Sequence, residues 1–275
     1  MALVALRDVH VEFPIYGSQH NLRSVLLQRA AGGLISREDR NPARVVVKAL
    51  NGLSLRLEDG DRIGIVGHNG AGKSTLLKVI AGIYEPVSGT VLTEGRITTL
   101  FHAMPGLDLE DTGYENILTA GLLLGMTRNE IEAKVPEIEE VSELGEYLTL
   151  PVRTYSSGMV TRLSFALATS IEPGILLMDE GIATGDARFA ERAAHRLKEF
   201  IGRSRIVVLA SHSVEIIRST CNKAALMQSG RILCVNSVEE VLGVYDALVH
   251  GRPPKAATPT ADPRAACSPQ ASLQD

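Results

Sequence analysis

The sequence predicts an α/β fold in which a parallel-sheet core is combined with an antiparallel β part and a helical part. Three short apolar runs predict the core strands, because each ends at a polar or glycine-rich junction, as buried parallel strands do: 63–66, 175–178 and 206–210. Leucines alternate with polar residues over 53–58, which predicts an antiparallel strand. Apolar spacing within 112–170 is typical of helices.

Composition limits the classes of function. The chain has 275 residues, of which 45% are hydrophobic, enough for one sizeable domain with a full core. Aromatic residues make up 4%, tryptophan is absent and the formal net charge is −4, so neither stacking platforms nor a broadly basic face for nucleic acid is expected. No apolar run approaches the roughly 20 residues of a membrane span and no signal pattern opens the chain, so a membrane role would require a partner. Three scattered cysteines predict neither a zinc site nor a disulfide framework, which fits a reducing cytosol.

The antiparallel part opens the chain. Residues 3–13 are expected to form its first strand, and the sheet pattern resumes at Ala49 before turning at 59–60. Between these strands, residues 17–46 differ in composition, and we interpret them as an inserted, partly helical segment. Residues 251–275 are rich in Pro, Ala, Ser and Thr and poor in apolar side chains, so they are predicted to form a disordered tail.

A phosphate-binding loop is predicted after the first core strand. The segment GHNGAGKST fits G-x-x-x-x-G-K-[ST] and stands between an apolar strand and a helical pattern, the context that makes the motif specific. Its glycines let backbone N–H groups turn toward phosphate oxygens, and the helix N-terminus adds partial positive charge. Lys73 is expected to neutralise the β- and γ-phosphates of ATP, and the Ser74 hydroxyl to bind Mg²⁺. The predicted cofactor-binding residues of this loop are Gly67, His68, Asn69, Gly70, Ala71, Gly72, Lys73, Ser74 and Thr75.

Two further strand ends supply candidate catalytic groups. In ILLMDE, Asp179 is placed to reach the magnesium ion and Glu180 to orient and deprotonate the attacking water. The alternative is a solvated acidic pair after a core strand. In SHS, His212 follows the next core strand and is placed to donate a hydrogen bond to the γ-phosphate. A lone histidine is more often structural, so this assignment depends on its position at a strand end.

In this order, the phosphate loop, YSSGM, ILLMDE and SHS resemble the nucleotide-binding subunits of ABC transporters, over about residues 3–245. The resemblance implies a P-loop NTPase of ABC type, with residues 1–250 as the ATPase domain and a helical subdomain at about 101–165. It also implies a homodimer in which YSSGM closes over the ATP of the opposite subunit. Ser156 and the backbone amides of Ser157 and Gly158 would then contact the partner's γ-phosphate.

The residues of YSSGM indicate which branch of the family the sequence resembles. That family usually has Leu-Ser-Gly-Gly-Gln here, so Tyr155, Ser157 and Met159 depart from it. YSSGM followed by xxRLxFA resembles the branch that exports O-antigen, capsule and teichoic-acid polymers, and the segments FPIYGSQHNLRS, TGYENI and GIATGDARF agree with that branch. The resemblance implies an ATPase at the cytoplasmic face of the inner membrane, with a separate permease and a lipid-linked polysaccharide as indirect cargo. The alternatives are an ATPase for small-solute or drug transport and an ABC ATPase acting on nucleic acid, which would need a coiled-coil insertion or a tandem domain.

Three features stay open. The family's phosphate-sensing glutamine, expected near 102 or 103, is absent, with His102 close by; hydrolysis is still expected because Glu180 and His212 are present. Either Phe13 or Tyr16 is expected to stack on adenine, and either could instead pack on the sheet. Residues 20–35 have an irregular amphipathic pattern that fits either a surface helix or a helix close to the membrane subunit or the head group of the cargo.

Overall fold

A computed structural model describes residues 1–14, 34–38, 41–100, 107–179 and 187–250. In chain order its strands are β1 (Leu3–Pro14), β2 (Leu34–Glu38), β3 (Asn41–Glu58), β4 (Arg62–Val66), β5 (Ser88–Glu94), β6 (Ile97–Leu100), β7 (Ile175–Met178), β8 (Ile206–Ala210), β9 (Lys223–Gln228) and β10 (Arg231–Asn236). Its helices are α1 (Lys73–Ile80), α2 (Gly113–Leu123), α3 (Arg128–Ser142), α4 (Ser157–Thr169), α5 (Ala187–Arg203), α6 (Val214–Thr220) and α7 (Val238–His250). The chain divides into two compact units, one built from residues 1–95 and from residue 205 onward, the other from 96–204.

The first unit contains an antiparallel sheet of order β2-β3-β1-β5. Strand β1 pairs on one side with β3, where Leu3 faces Glu58, and on the other side with β5, where Leu3 faces Glu94. Alternate side chains such as Val4 and Leu6 are fully buried, which is the period-2 burial of a sheet with one covered face. The predicted alternation over 53–58 is confirmed, since Leu53, Leu55 and Leu57 are all buried.

The second half of the expected insertion is part of this sheet. Strand β2 pairs antiparallel with β3 from Leu34 opposite Lys48 to Glu38 opposite Asn41. The expectation that the sheet pattern is interrupted until Ala49 is therefore wrong, because β3 begins at Asn41 and gains a cross-strand partner there. Residues 17–33, to which most of the helical interpretation applies, lie outside the described residues.

The first unit also contains parallel strands. Strand β4 pairs parallel with β8 on one side and with β9 on the other, and β10 is antiparallel to β9. All five residues of β8 are buried, as are four of the five residues of β4. The apolar runs 63–66 and 206–210 are thus buried parallel strands, as the sequence predicts, and their carboxyl ends lead into the phosphate loop and into SHS.

The second unit combines two short parallel strands with helices. Strand β6 pairs parallel with β7, and all four residues of β7 are buried. Helices α2 and α3 each begin with a capping box, in which Thr112 and Thr127 exchange hydrogen bonds with the glutamates three residues later. Apolar residues of α2, α3 and α4 form one buried cluster. Among the described residues no helix combines the length and hydrophobicity that a bilayer crossing requires.

Candidate nucleotide site

The phosphate loop runs from the end of β4 into α1. Gly70 and Gly72 have φ values of 79° and 105°, a left-handed region that favours glycine. A Cβ on Gly72 would also lie 2.6 Å from the backbone oxygen of Ala49. Both the positive φ and this close contact therefore disfavour a side chain at position 72. Gly72 is the N-cap of α1 and no side chain of the described residues caps this end. A helix N-terminus of this kind has first-turn N–H groups that can donate to an anion.

Lys73 lies inside this loop with 8% of its surface exposed. Its Nζ donates to the backbone oxygen of Gly67 at 2.7 Å and to that of His68 at 3.2 Å. A third contact joins Nζ to the Nε2 atom of His212 at 3.2 Å. Because an ammonium group only donates, Nε2 would be the acceptor in this contact. The structure thus brings together the two phosphate-contacting side chains predicted from separate motifs.

Local hydrogen bonds fix the position of His212. It follows β8 and stands between Ser211, which is buried, and Ser213, the N-cap of α6. The backbone N–H of Ser213 donates to the Ser211 hydroxyl at 3.0 Å, and the Ser213 hydroxyl accepts from the Ile216 N–H at 3.3 Å. A strand end and a helix start therefore constrain the chain on both sides of the exposed imidazole.

The segment YSSGM forms the start of α4. Ser156 is its N-cap, and the Ser156 hydroxyl accepts from the Met159 N–H at 3.2 Å. Ser156 and Ser157 are exposed and Gly158 is half-buried. A Cβ on Gly158 would have the Ser156 hydroxyl, at 3.8 Å, as its nearest contact. The chain around Gly158 therefore has room for a side chain, and the local packing does not explain the glycine.

The departures Tyr155 and Met159 face the interior of the second unit. Tyr155 is 9% exposed and belongs to the helical core cluster with Ile117 and Leu163, against which Met159 also packs. The Tyr155 hydroxyl donates to the backbone oxygen of Tyr147 at 2.6 Å. Burial is the main cause that raises the pKa of the Tyr155 phenol, so the hydroxyl keeps its proton and remains a donor.

Comparison with known proteins shows which family this chain belongs to. The model of the ABC transporter family matches residues 50–183. The O-antigen export system ATP-binding protein RfbE of Yersinia enterocolitica is 46% identical over 233 residues, which is 84% of this chain and 97% of that protein. The chain belongs to the ABC transporter family of ATP-binding proteins. The O-antigen export system ATP-binding protein RfbB of Myxococcus xanthus is 40% identical over 248 residues, 89% of this ABC protein and 56% of its relative.

A solved structure shows that the fold is shared. A dimeric ATP-binding cassette, in a post-hydrolysis state bound to ADP and Pi, matches this ABC protein with a TM-score of 0.62 at 19% identity. The match covers 86% of this chain and 98% of that chain. The predicted ABC-type α/β fold with a parallel-sheet core is therefore confirmed.

The structure of this ABC protein describes some of the remaining predicted site residues and leaves others out. Ser74 is exposed in the first turn of α1, Thr75 is half-buried beside it, and Asp179 is half-buried directly after β7. Glu180, the predicted general base, lies outside the described residues, as do Tyr16 and His102. The roles of all these residues remain predictions. The described residues contain no cluster of three or more His, Cys, Asp or Glu placed to hold a metal ion.

Phe13 has an aromatic neighbour that the sequence analysis missed. Its ring lies edge-on to that of Tyr84, with centroids 5.2 Å apart and ring planes at 71°. The ammonium of Lys78 stands over the Tyr84 ring at 5.4 Å from its centroid. Both aromatic side chains are half-buried, so Phe13 packs on the sheet and keeps part of its ring accessible. The sequence signal that could have indicated this contact is an aromatic residue four positions after the end of α1, in a chain with few aromatics.

Proposed function

We propose that this ABC protein is the ATP-hydrolysing subunit that powers export of a lipid-linked polysaccharide across the inner membrane, together with a separate permease. The observation that carries the proposal is its similarity over nearly the whole length of the Yersinia O-antigen export protein. The site geometry supports the ATPase part, because a buried P-loop lysine and a strand-end histidine meet where a nucleotide phosphate would bind.

The residues at the loop suggest how phosphate binding proceeds. Lys73 is held by two loop carbonyls and His212, and a phosphate oxygen would be a stronger partner for its ammonium than a neutral carbonyl. His212 would donate a hydrogen bond to the γ-phosphate.

The proposed hydrolysis requires a metal ion and a base. Ser74, exposed in the first turn of α1, and Asp179, directly after β7, are the residues that would hold Mg²⁺. Hydroxyl and carboxylate oxygens suit this ion, which is bound by few protein ligands together with water and phosphate oxygens. When bound, Mg²⁺ neutralises charge that develops on the transferred phosphoryl group. Glu180 would take the proton of the attacking water.

We propose that two copies form the complete site. Ser156 and the amides of Ser157 and Gly158 would contact the γ-phosphate of the ATP held by a second copy. The open Cβ position of Gly158 supports this arrangement, since no neighbour in its own chain requires a glycine there. A phosphate that approaches the backbone closely would require one. The dimeric cassette of the same fold is consistent with this assembly.

Coupling to the membrane is proposed through the permease, which would place this subunit at the cytoplasmic face of the inner membrane. The test is reconstitution of the chain with its permease in vesicles that contain a lipid-linked polysaccharide. ATP-dependent movement of the polymer is expected, and Lys73→Ala should abolish it. Movement of a small solute or a drug instead, with no movement of the polymer, would overturn the export assignment.

A further inference from the structure

The residues around Tyr155 form a connected packing and hydrogen-bonding arrangement within the second unit. Its first component is a close approach between two backbone segments and one side chain. A Cβ on Gly113 would lie 2.5 Å from the Tyr155 hydroxyl oxygen and 2.9 Å from the Cα of Leu148. Gly113 does not have a positive φ, so its glycine is explained by this contact rather than by its backbone conformation. Gly113 and Tyr155 are therefore sterically matched.

The second component is a short ladder between the segments that carry these two residues. Three backbone hydrogen bonds join 109–113 to 150–153: Gly113 N–H to Leu150 O at 3.3 Å, Val152 N–H to Asp111 O at 2.9 Å, and Arg153 N–H to Leu109 O at 2.8 Å. The ladder ends two residues before Tyr155. The path of the chain into α4 is thus fixed by a neighbouring segment rather than by the helix alone.

A buried amide holds the other side of this ladder. Asn116 is fully buried in α2. Its Oδ1 accepts from the Asp108 N–H at 2.8 Å, and its Nδ2 donates to the backbone oxygens of Asp108 at 2.8 Å and Thr112 at 3.0 Å. These bonds satisfy an otherwise costly buried amide and order the segment before α2. Thr112, Gly113 and Asn116 of TGYENI therefore act on the segment that leads to YSSGM.

We propose that Tyr155 and Gly113 are positioning residues for Ser156. The Tyr155 hydroxyl, anchored on the Tyr147 carbonyl and seated against Gly113, holds the turn that presents the Ser156 hydroxyl and the first N–H groups of α4 to the nucleotide of a second copy. A leucine at 155 would fill the core without this anchor. The inference rests on the proposed ATP-dependent dimer, and it assigns a role to the residue of YSSGM that is buried in the helical core.

The test compares two tyrosine-to-phenylalanine changes in the Glu180→Gln background, where ATP should trap the dimer. Tyr155→Phe removes one buried hydroxyl donor, so a smaller fraction of chains holds the competent turn. ATP-driven dimerisation should weaken about 2- to 10-fold, the range expected for one hydrogen bond. Nucleotide binding by dilute single chains should not change, because Tyr155 is not a P-loop residue. Gly113→Ala, which places a Cβ against the Tyr155 hydroxyl, should weaken dimerisation further.

The matched control is Tyr114→Phe. The Tyr114 hydroxyl donates to Glu139 at 2.6 Å in the same unit, but the Tyr114 side chain is exposed, whereas that of Tyr155 is buried. This variant should dimerise like the Glu180→Gln parent. Dimerisation of Tyr155→Phe at the parent's ATP concentration, or an equal loss in Tyr114→Phe, would overturn the inference. Failure of the Glu180→Gln parent itself to dimerise with ATP would instead contradict the proposed function.

Discussion

Lys73 and His212 meet at 3.2 Å between Nζ and Nε2 although 139 positions separate them in the chain. Lys73 comes from the start of α1 and His212 from the junction of β8 and α6. Strands β4 and β8 are parallel neighbours, so their carboxyl ends lie at the same edge of the sheet. The pairing of these two strands therefore explains how one lysine and one histidine from distant parts of the chain come into contact.

His212→Ala should leave ATP binding largely intact and slow hydrolysis. The proposed phosphate contacts of Lys73 and the loop amides would remain in both proteins, whereas the donor proposed for the γ-phosphate would be lost. Loss of one such donor typically costs about 100-fold or more in kcat. Steady-state ATPase and nucleotide-binding assays measure the two effects. His195→Ala is the control, because 77% of that side chain is exposed on α5. An unchanged kcat in His212→Ala would exclude the proposed contact.

Glu180→Gln should bind ATP and accumulate as a nucleotide-bound dimer. Replacing the carboxylate would remove the proposed proton acceptor for the attacking water and keep nearly the same side-chain shape. The expected loss of rate is on the order of 10²–10⁴. Size-exclusion chromatography with ATP and Mg²⁺ measures the dimer, and phosphate release measures the rate. Hydrolysis at the wild-type rate would show that another group is the base.

Arg196→Ala should destabilise the second unit at neutral pH. The Arg196 side chain is 18% exposed; its Nε donates to the Thr169 hydroxyl at 2.9 Å, and its guanidinium also pairs with Glu137. Removing one partner of a largely buried ion pair typically costs about 3 kcal/mol or more when the other charge stays unpaired, and less where water reaches it. Urea unfolding measures the change in the free energy of unfolding. Arg128→Ala, which breaks an exposed pair with Glu132, should change it by about 0.5 kcal/mol or less.

The Arg196→Ala effect should depend on pH. Burial tends to raise the pKa of Glu137, but hydrogen bonds from Lys134 and Arg196 outweigh it, and the net pKa is below the ordinary value of 4.5. A lowered pKa in the folded state stabilises the fold above the unfolded pKa, and this contribution is lost as pH falls through the folded value. The difference between wild type and Arg196→Ala should therefore shrink below about pH 4. A difference that is constant across this range would contradict the ion-pair explanation.

Cys221 should resist alkylation in the folded protein. Burial raises the pKa of its thiol to about 12. The thiolate is the reactive form, so it is almost absent at about pH 8. Peptide mass spectrometry after treatment with iodoacetamide should find Cys221 unmodified in the native protein and modified after unfolding in guanidinium chloride. Rapid modification of Cys221 in the native protein would show that the side chain is accessible.

The local motifs were predictable because their chemistry depends on short spacing. The glycines, Lys73 and Ser74 are close in sequence, and the apolar runs on either side are sufficient to predict a strand and a helix. The expectation that failed, an interrupted sheet before Ala49, concerned residues 41–48, which are strand because β1 and β2 pair with them. Cross-strand pairing is a long-range interaction, and composition alone does not report it.

The segment YSSGM shows most clearly which features the sequence predicts and which depend on the tertiary structure. By itself the sequence determined the phosphate loop and the buried core strands, since motif spacing and periodicity are local properties. Only the tertiary structure decided that Tyr155 faces the helical core, that its hydroxyl reaches Tyr147, and that Gly113 is required beside it. The orientation of Tyr155 depends on how α2 and α4 pack together, and these helices are separated by more than thirty residues of chain.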